Sequence, residues 1–176
     1  MFLLLAQWAQ GTDFFTALRS SWYVYPIVMS LHLCGIALFG GLILLTDMRL
    51  LGLALRNYSV SDVVNQLRWP KRIGFVLVAT CGLLLLGSKA EEYYYNVFVR
   101  IKLSLLALIF IHGWVFRRSV YFNTAEIDKA PQIPGRVKLA AGLSLLLWTC
   151  VACAGRGIGY IDPPLDKIHA ALYWPR

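Results

Sequence analysis

Two histidines stand inside the most apolar parts of this 176-residue sequence: His32 in the run WYVYPIVMSLHLCGIALF and His112 in the run VFVRIKLSLLALIFIHGWVF. An imidazole in hydrocarbon must find a partner or a ligand, because an unsatisfied polar group there costs free energy. Imidazole is a common axial ligand of haem iron, and helical bundles build cofactor sites from side chains on facing helices. The pair therefore predicts a b-type haem with His32 and His112 as its metal ligands.

Lys102 is an alternative second ligand from the same run as His112. The helical rise puts His112 roughly 5 to 10 Å deeper than His32, and Lys102 about 10 Å on the outer side of its helix midpoint. Depth alone does not choose between them. We prefer His112 because neutral imidazole ligates without a large pKa shift, whereas lysine must first lose its proton. A helix-end anchor is the competing interpretation of Lys102.

Two further residues suit the same cofactor. Gly35 lacks a side chain three residues after His32, where a flat macrocycle would lie, although close helix packing explains this glycine equally well. Arg156, towards the outer end of the last apolar run, suits a charge-assisted contact with haem propionates. Its neighbours Gly155 and Gly159 have the Gly-x-x-x-Gly spacing, so helix packing competes with this interpretation too.

Asp47 stands at the inner end of the first apolar run. We expect it to pair with a base from another segment, and the candidates are Lys71, Arg72 and Arg136. A lone carboxylate is weak support for a transport pathway, which needs further polar groups inside the membrane. We therefore interpret Asp47 as a structural latch first and as a proton or ion site second.

The remaining reactive residue types give weaker indications. All four cysteines fall within apolar runs, so no disulfide is expected, and packing explains the Cys150-x-x-Cys153 spacing better than a redox or metal pair. The sequence has no hydrolase constellation, nucleotide-binding loop or closed metal site. These patterns favour an accessory or electron-transfer protein over a stand-alone enzyme.

The elements that carry these residues follow from composition. Hydrophobic residues make up 59% of the chain and the mean hydropathy is +0.62, which is typical of an integral membrane protein. Because a bilayer tolerates no unpaired backbone, we expect an all-α fold, an up-and-down four-helix bundle in a single transmembrane domain. The predicted spans are about 22–51, 72–89, 97–117 and 137–160, with an interfacial N-terminal helix within 1–20 and an amphipathic C-terminal tail at 162–176.

Charge predicts the orientation of the spans. The formal net charge is +8, and basic residues cluster in the connectors that follow the first and third spans. The opposite side balances its bases with carboxylates such as Glu91 and Glu92. By the positive-inside rule, both basic connectors face the cytoplasm and both termini lie outside. This clustering disfavours a nucleic-acid partner and favours the lipid bilayer.

A set of short motifs extends over most of the chain: Trp22-x-x-Tyr25-Pro26, Ser30-Leu-His32, Thr46-Asp47-Met-Arg49-Leu-Leu-Gly52, Asn96-x-Phe98-x-x-x-Lys102, Ser144-Leu-Leu-Leu-Trp148 and Gly155-Arg156. This pattern resembles a bacterial four-helix membrane family known only as a domain of unknown function. The resemblance implies the same fold in the bacterial inner membrane, which with the predicted orientation gives periplasmic termini.

A more distant resemblance concerns the first-helix histidine, the glycines and arginine that follow it, and the lysine and histidine of the third helix. This arrangement is similar to the HemJ-type protoporphyrinogen oxidases and the CopD-type copper-resistance membrane proteins. The HemJ-type similarity implies haem bound by His32, with Lys102 as a candidate partner.

We therefore expect a haem b protein that acts in electron transfer, as a subunit or partner of a membrane redox complex. Two other functions compete with this hypothesis. In a non-catalytic structural or assembly subunit, His32 would only form a hydrogen bond across helices. A small transporter or copper-handling membrane protein is the third hypothesis.

Overall fold

The computed structural model describes residues 2–116, 120 and 124–161. Those residues form an all-α fold, and no strand occurs among them. The predicted C-terminal tail at 162–176 lies outside the described residues. The helices are α1 (Phe2–Gln10), α2 (Asp13–Ser20), α3 (Val24–Leu51), α4 (Val60–Gln66), α5 (Arg68–Ser88), α6 (Ala90–Tyr95), α7 (Val97–Phe116), α8 (Thr124–Lys129) and α9 (Gly135–Gly157), followed by a 3₁₀ turn (Ile158–Tyr160).

Four of these helices, α3, α5, α7 and α9 with its 3₁₀ turn, are long and apolar enough to cross a membrane. Helix α5 begins at Arg68, four residues before the predicted start of the second span. Pro70 falls in its first turn, where the backbone N–H groups have no intrahelical acceptor, so the proline does not interrupt the helix. Helix α3 ends where Gly52 adopts the left-handed conformation, with φ of 75°.

The long helices alternate in direction, and three pairs pack closely: α3 with α5, α3 with α9, and α7 with α9. Helices α5 and α7 are not among the closely packed pairs within the described ranges. Their aromatic side chains meet instead, because the rings of Phe75 and Phe110 lie 6.4 Å apart in an edge-to-face contact. Phe39 of α3 extends this aromatic layer to Phe75 at 5.7 Å and to Trp148 of α9 at 5.4 Å.

Glycines allow α3 and α5 to approach closely. A Cβ atom at Gly35 would lie 2.9 Å from Cγ2 of Val78, and one at Gly74 would lie 3.1 Å from Cβ of Phe39. Real Cβ atoms essentially never make contacts as short as the first and rarely make contacts as short as the second, so a larger residue at either position would force the neighbouring atoms to move. Small residues at such positions are how membrane helices gain van der Waals contact.

One end of the bundle, called here the tyrosine end, is covered by α1, α2 and α6. The predicted N-terminal helix is two helices, and they are tied to α6. Gln7 Nε2 donates to Glu91 Oε1 at 2.9 Å, and the Glu91 N–H donates to Gln10 Oε1 at 2.7 Å. Arg19 adds a bond to the Ser88 carbonyl at 2.9 Å. The segment is therefore held by specific polar contacts with the bundle.

The opposite end, called here the basic end, is covered by α4 and α8. Asp128 of α8 accepts hydrogen bonds from the N–H of Val60 at 2.6 Å and of Ser61 at 2.9 Å, and from the Ser61 hydroxyl. Beneath these contacts lies an apolar cluster formed by Leu50, Val60, Val64, Val120, Ile127, Val137, Ala140 and Ala141. The connectors are thus packed onto the ends of α3 and α9.

The Gly35 contact predicts a position-specific loss of stability. Gly35→Ala should lower the free energy of unfolding by about 1–3 kcal/mol, because the new methyl group overpacks the α3–α5 contact. Gly41→Ala is the matched control in the same helix, since no described atom lies within 4 Å of its Cβ position. It should be neutral or stabilising by up to about 1 kcal/mol. Unfolding curves of both variants in one detergent test this, and equal stabilities would contradict it.

Asp128 predicts a pH-dependent contribution at the basic end. Slight burial raises the pKa of this carboxyl, but the hydrogen bonds from Ser61 and Val60 and the charge of Arg49 outweigh burial and lower its pKa below the ordinary value. Its contribution to stability is therefore complete above the unfolded pKa of about 3.9 and is lost as the pH falls through the lower folded pKa.

Asp128→Asn should accordingly lower the unfolding temperature at pH 6, and its difference from the native protein should shrink towards pH 3. Glu126→Gln removes the same charge from an exposed position of α8 and serves as the control. A difference for Asp128→Asn that stays constant across this pH range would contradict the prediction.

Candidate functional site

His32 lies two turns into α3, in the half of the bundle nearer the tyrosine end, and is half-buried. Its ring packs against α5 where that helix has no side chain, since a Cβ at Gly82 would be 3.0 Å from the imidazole Cε1. The ring also approaches the backbone of Val78, one turn earlier on α5, within range of a weak interaction but without a hydrogen bond of good geometry at Nδ1. Its Nδ1 atom is buried and has no hydrogen-bond partner among the described residues. This is the property expected of a nitrogen that binds a ligand.

Lys102 of α7 belongs to the same half of the bundle. Its Nζ atom reaches α9, where it would lie 3.7 Å from a Cβ at Gly155. The ammonium group is also close enough to His32 to act electrostatically on the imidazole. Of the two candidates on the third span, Lys102 is therefore the one that the fold brings towards His32.

His112 lies one turn before the end of α7, near the basic end, and is buried. Its Nε2–H donates to the carbonyl of Ala140 on α9 at 3.0 Å. It lines a cavity together with the part of α3 from Phe39 to Asp47. Those residues follow His32 by 7 to 15 positions, which is about 10 to 22 Å along a helix. The two histidines are not brought together at one site.

Gly35 and Arg156 also have defined neighbours. The space beside Gly35 is filled by Val78 and Leu77 of α5, so this glycine serves helix packing. Arg156 is exposed at the tyrosine end, where its guanidinium donates to the Tyr160 hydroxyl at 3.1 Å and stacks over that ring at 4.9 Å. Arg156 directly follows Gly155, the residue against which Lys102 lies, so Arg156 and Lys102 are close to the same end of α9.

A second polar centre was only partly anticipated by the sequence. A cavity of about 280 Å³, called here the Asp47 cavity, lies between the four long helices towards the basic end. Its polar lining consists of Thr46, Asp47, Lys71, His112 and Ser144, and its apolar lining includes Phe39, Ile43, Phe75, Leu106, Ile109, Phe110, Gly113 and Trp148.

Asp47 is the central polar group of this cavity, with an exposed fraction of 2%. Its carboxylate faces the Ser144 hydroxyl and is attracted by Lys71, one of the three bases proposed as its partner. The Lys71 ammonium donates to the Thr46 hydroxyl at 2.8 Å, and that hydroxyl donates to the Leu42 carbonyl at 2.9 Å. Asp47 Oδ2 is buried and has no partner in the described part of the chain.

Sequence reasoning missed Thr46, Ser144 and His112 as members of this centre. Hydroxyl groups in apolar helices usually bond to their own backbone, so neither Thr46 nor Ser144 gives a sequence signal of its own. The signal that existed was Asp47, because a carboxylate inside a span needs partners from other helices. No group of three or more histidine, cysteine or acidic side chains comes together within residues 2–116, 120 and 124–161.

The fold and these centres define a small multi-pass α-helical membrane protein with polar side chains buried between its spans. A family profile described as "Family of unknown function (DUF6644)" matches residues 6–161, and the chain belongs to that family. The expected membership of a family of unknown function is thereby confirmed. Neither a curated protein nor a solved structure matches the sequence.

The Asp47 centre predicts strong coupling between two helices. Lys71→Met should lower the free energy of unfolding by about 3 kcal/mol, because it leaves the Asp47 carboxylate buried without the neighbouring cation. The double variant Lys71→Met/Asp47→Asn should recover most of this loss. Unfolding curves of the native protein, both single variants and the double variant complete the cycle.

Lys138→Met is the control for this cycle, because it removes an exposed lysine near the basic end of α9. It should change stability by less than about 0.5 kcal/mol. Strictly additive costs of the Lys71 and Asp47 substitutions would show that the two groups do not interact.

Proposed function

We propose that this protein binds haem b through His32 and carries electrons within a membrane redox complex, as a subunit or partner of that complex. The observation that supports this most is the buried Nδ1 atom of His32, which has no hydrogen-bond partner among the described residues. A nitrogen left unpaired in an apolar bundle is costly unless something binds it. Iron coordination satisfies this requirement, and bundles commonly hold haem between facing helices.

The residues around His32 suit such a group in part. Lys102 is our candidate for the second ligand, because it comes from α7 and lies close enough to His32 to act electrostatically on the imidazole. His112 is less suited to that role, since its Nε2–H already bonds to Ala140 at the level of the Asp47 cavity.

Haem supplies one-electron chemistry when bound, and the chain sets the conditions for it. Burial of His32 among apolar side chains would influence the redox potential, and Lys102 would have to be neutral to act as an iron ligand. Arg156 has donors beyond the one bonded to Tyr160, and they suit anionic propionates at the tyrosine end.

The proposed location is the bacterial inner membrane with both termini in the periplasm. The four apolar helices support a multi-pass protein. The positive-inside rule supports the orientation, because the connectors at the basic end carry the excess of arginine and lysine.

A structural or assembly subunit is the second candidate function, and the tight fit of the His32 ring against Gly82 favours it. In that case His32 fills the α3–α5 contact and binds no ligand. The purified protein would then be colourless and would be recovered with a larger complex.

Visible absorption of the detergent-purified protein separates the two functions. With ample haem during expression, we expect a Soret band in the oxidised protein and an α band after dithionite reduction. His32→Ala should abolish both bands. Lys102→Met should change the spin state, whereas His112→Asn should leave it unchanged.

Lys89→Met is the matched control for Lys102, because Lys89 lies outside the four spans and pairs with Glu92 at 3.2 Å. It should leave the spectrum unchanged. Native protein without either band would overturn the haem proposal, and bands that survive in His32→Ala would move the ligand role to another residue.

A further inference from the structure

The polar wall of the Asp47 cavity contains a hydrogen-bond acceptor without a donor. An ionised carboxylate accepts hydrogen bonds and donates none, and Asp47 Oδ2 has no donor among the described residues although its side chain is almost fully buried. Among the other polar lining residues, His112 bonds through Nε2–H to Ala140, whereas the Lys71 ammonium and the Ser144 hydroxyl can donate to a ligand oxygen of any kind. A ligand that fits this wall therefore carries hydroxyl or amine groups.

The opposite wall of the cavity is aromatic. Phe39 makes an edge-to-face contact with Trp148, and Phe75 makes one with Phe110. Aromatic walls favour flat rings, which they can contact by stacking or edge-to-face packing. The volume of about 280 Å³ is just below the usual range for drug-sized ligands and suits a single substituted ring.

Access to the cavity is from the lipid side. The side chains of Phe75 and Phe110 are 43% and 64% exposed, and they lie on helices whose backbones do not pack closely in the described structure. A molecule entering between α5 and α7 must first dissolve in the bilayer. Its tail can then stay in lipid while its ring occupies the cavity.

We propose that the Asp47 cavity binds the ring of a membrane quinol, the reduced and hydroxyl-bearing form of a lipid-soluble quinone. A ring hydroxyl donates to Asp47 Oδ2, and the ring lies against the aromatic wall. Because Asp47 Oδ2 accepts and the ring oxygens of a quinone only accept, the quinol is preferred to the quinone, whereas the Lys71 ammonium and the Ser144 hydroxyl can donate to either form. This inference goes beyond the haem proposal and does not depend on it, since His32 is several turns away along α3.

The test uses the full chain in lipid nanodiscs and a decyl-substituted benzoquinol, reduced beforehand and kept anaerobic, with calorimetric titration. We expect saturable binding at least tenfold tighter than that of the same compound as the quinone. Asp47→Asn should weaken quinol binding by tenfold or more and remove the preference. Visible spectra of the same samples separate the two proposals, because quinol binding without a Soret band contradicts only the haem proposal, and a Soret band without quinol binding contradicts only this inference.

A cavity-filling variant keeps the test independent of the buried charge. Gly113 lines the cavity, and no atom outside its own helix backbone lies within 4 Å of its Cβ position, so Gly113→Leu has room at Cβ and extends its side chain into the space. It should abolish saturable binding. Gly142→Leu is the matched control, because its Cβ position is equally open and it does not line the cavity.

Two results would overturn the inference. Equal heats for the native protein, Gly113→Leu and Gly142→Leu would mean that the quinol only partitions into lipid and that water fills the cavity. Equal affinity of the native protein for quinol and quinone would mean that the Asp47 carboxylate does not select the ligand.

Discussion

Helix α3 packs closely on both α5 and α9, and it carries two polar side chains that need partners, His32 and Asp47. In hydrocarbon no water is available to form hydrogen bonds with a polar group, so its partner must come from another helix or from a ligand. The close contacts of α3 bring such partners within reach. Each of the two polar side chains nevertheless retains one buried atom, Nδ1 or Oδ2, without a partner among the described residues.

The spans and their order could be predicted from hydropathy, because runs of apolar residues in a bilayer have to be helices. The limits of α5 could not, since Pro70 is a helix breaker in most positions and is harmless only in a first turn. The attachment of α1 and α2 to the bundle could not be predicted from the sequence either. It depends on Gln7, Gln10 and Glu91, and glutamine in a short amphipathic segment gives no indication of a partner 80 residues away.

The candidate site divides in the same way. His32 and Asp47 could be recognised because each is a polar residue in an apolar run. Their neighbours could not, because hydropathy carries no information about which faces of two helices meet. The helical rise predicts that His112 lies deeper than His32, and in the fold His112 bonds to Ala140 at the level of the Asp47 cavity. Lys102 was the alternative second ligand by its chemistry, and in the fold it is the candidate that lies nearer His32.

Phe39 connects the two polar centres. It follows His32 by seven residues and precedes Asp47 by eight, so it lies about midway between them on α3. Its backbone can approach α5 only because Gly74 has no side chain, and its ring then contacts both Phe75 and Trp148. The aromatic layer built on Phe39 separates the polar groups at the basic end from those nearer the tyrosine end.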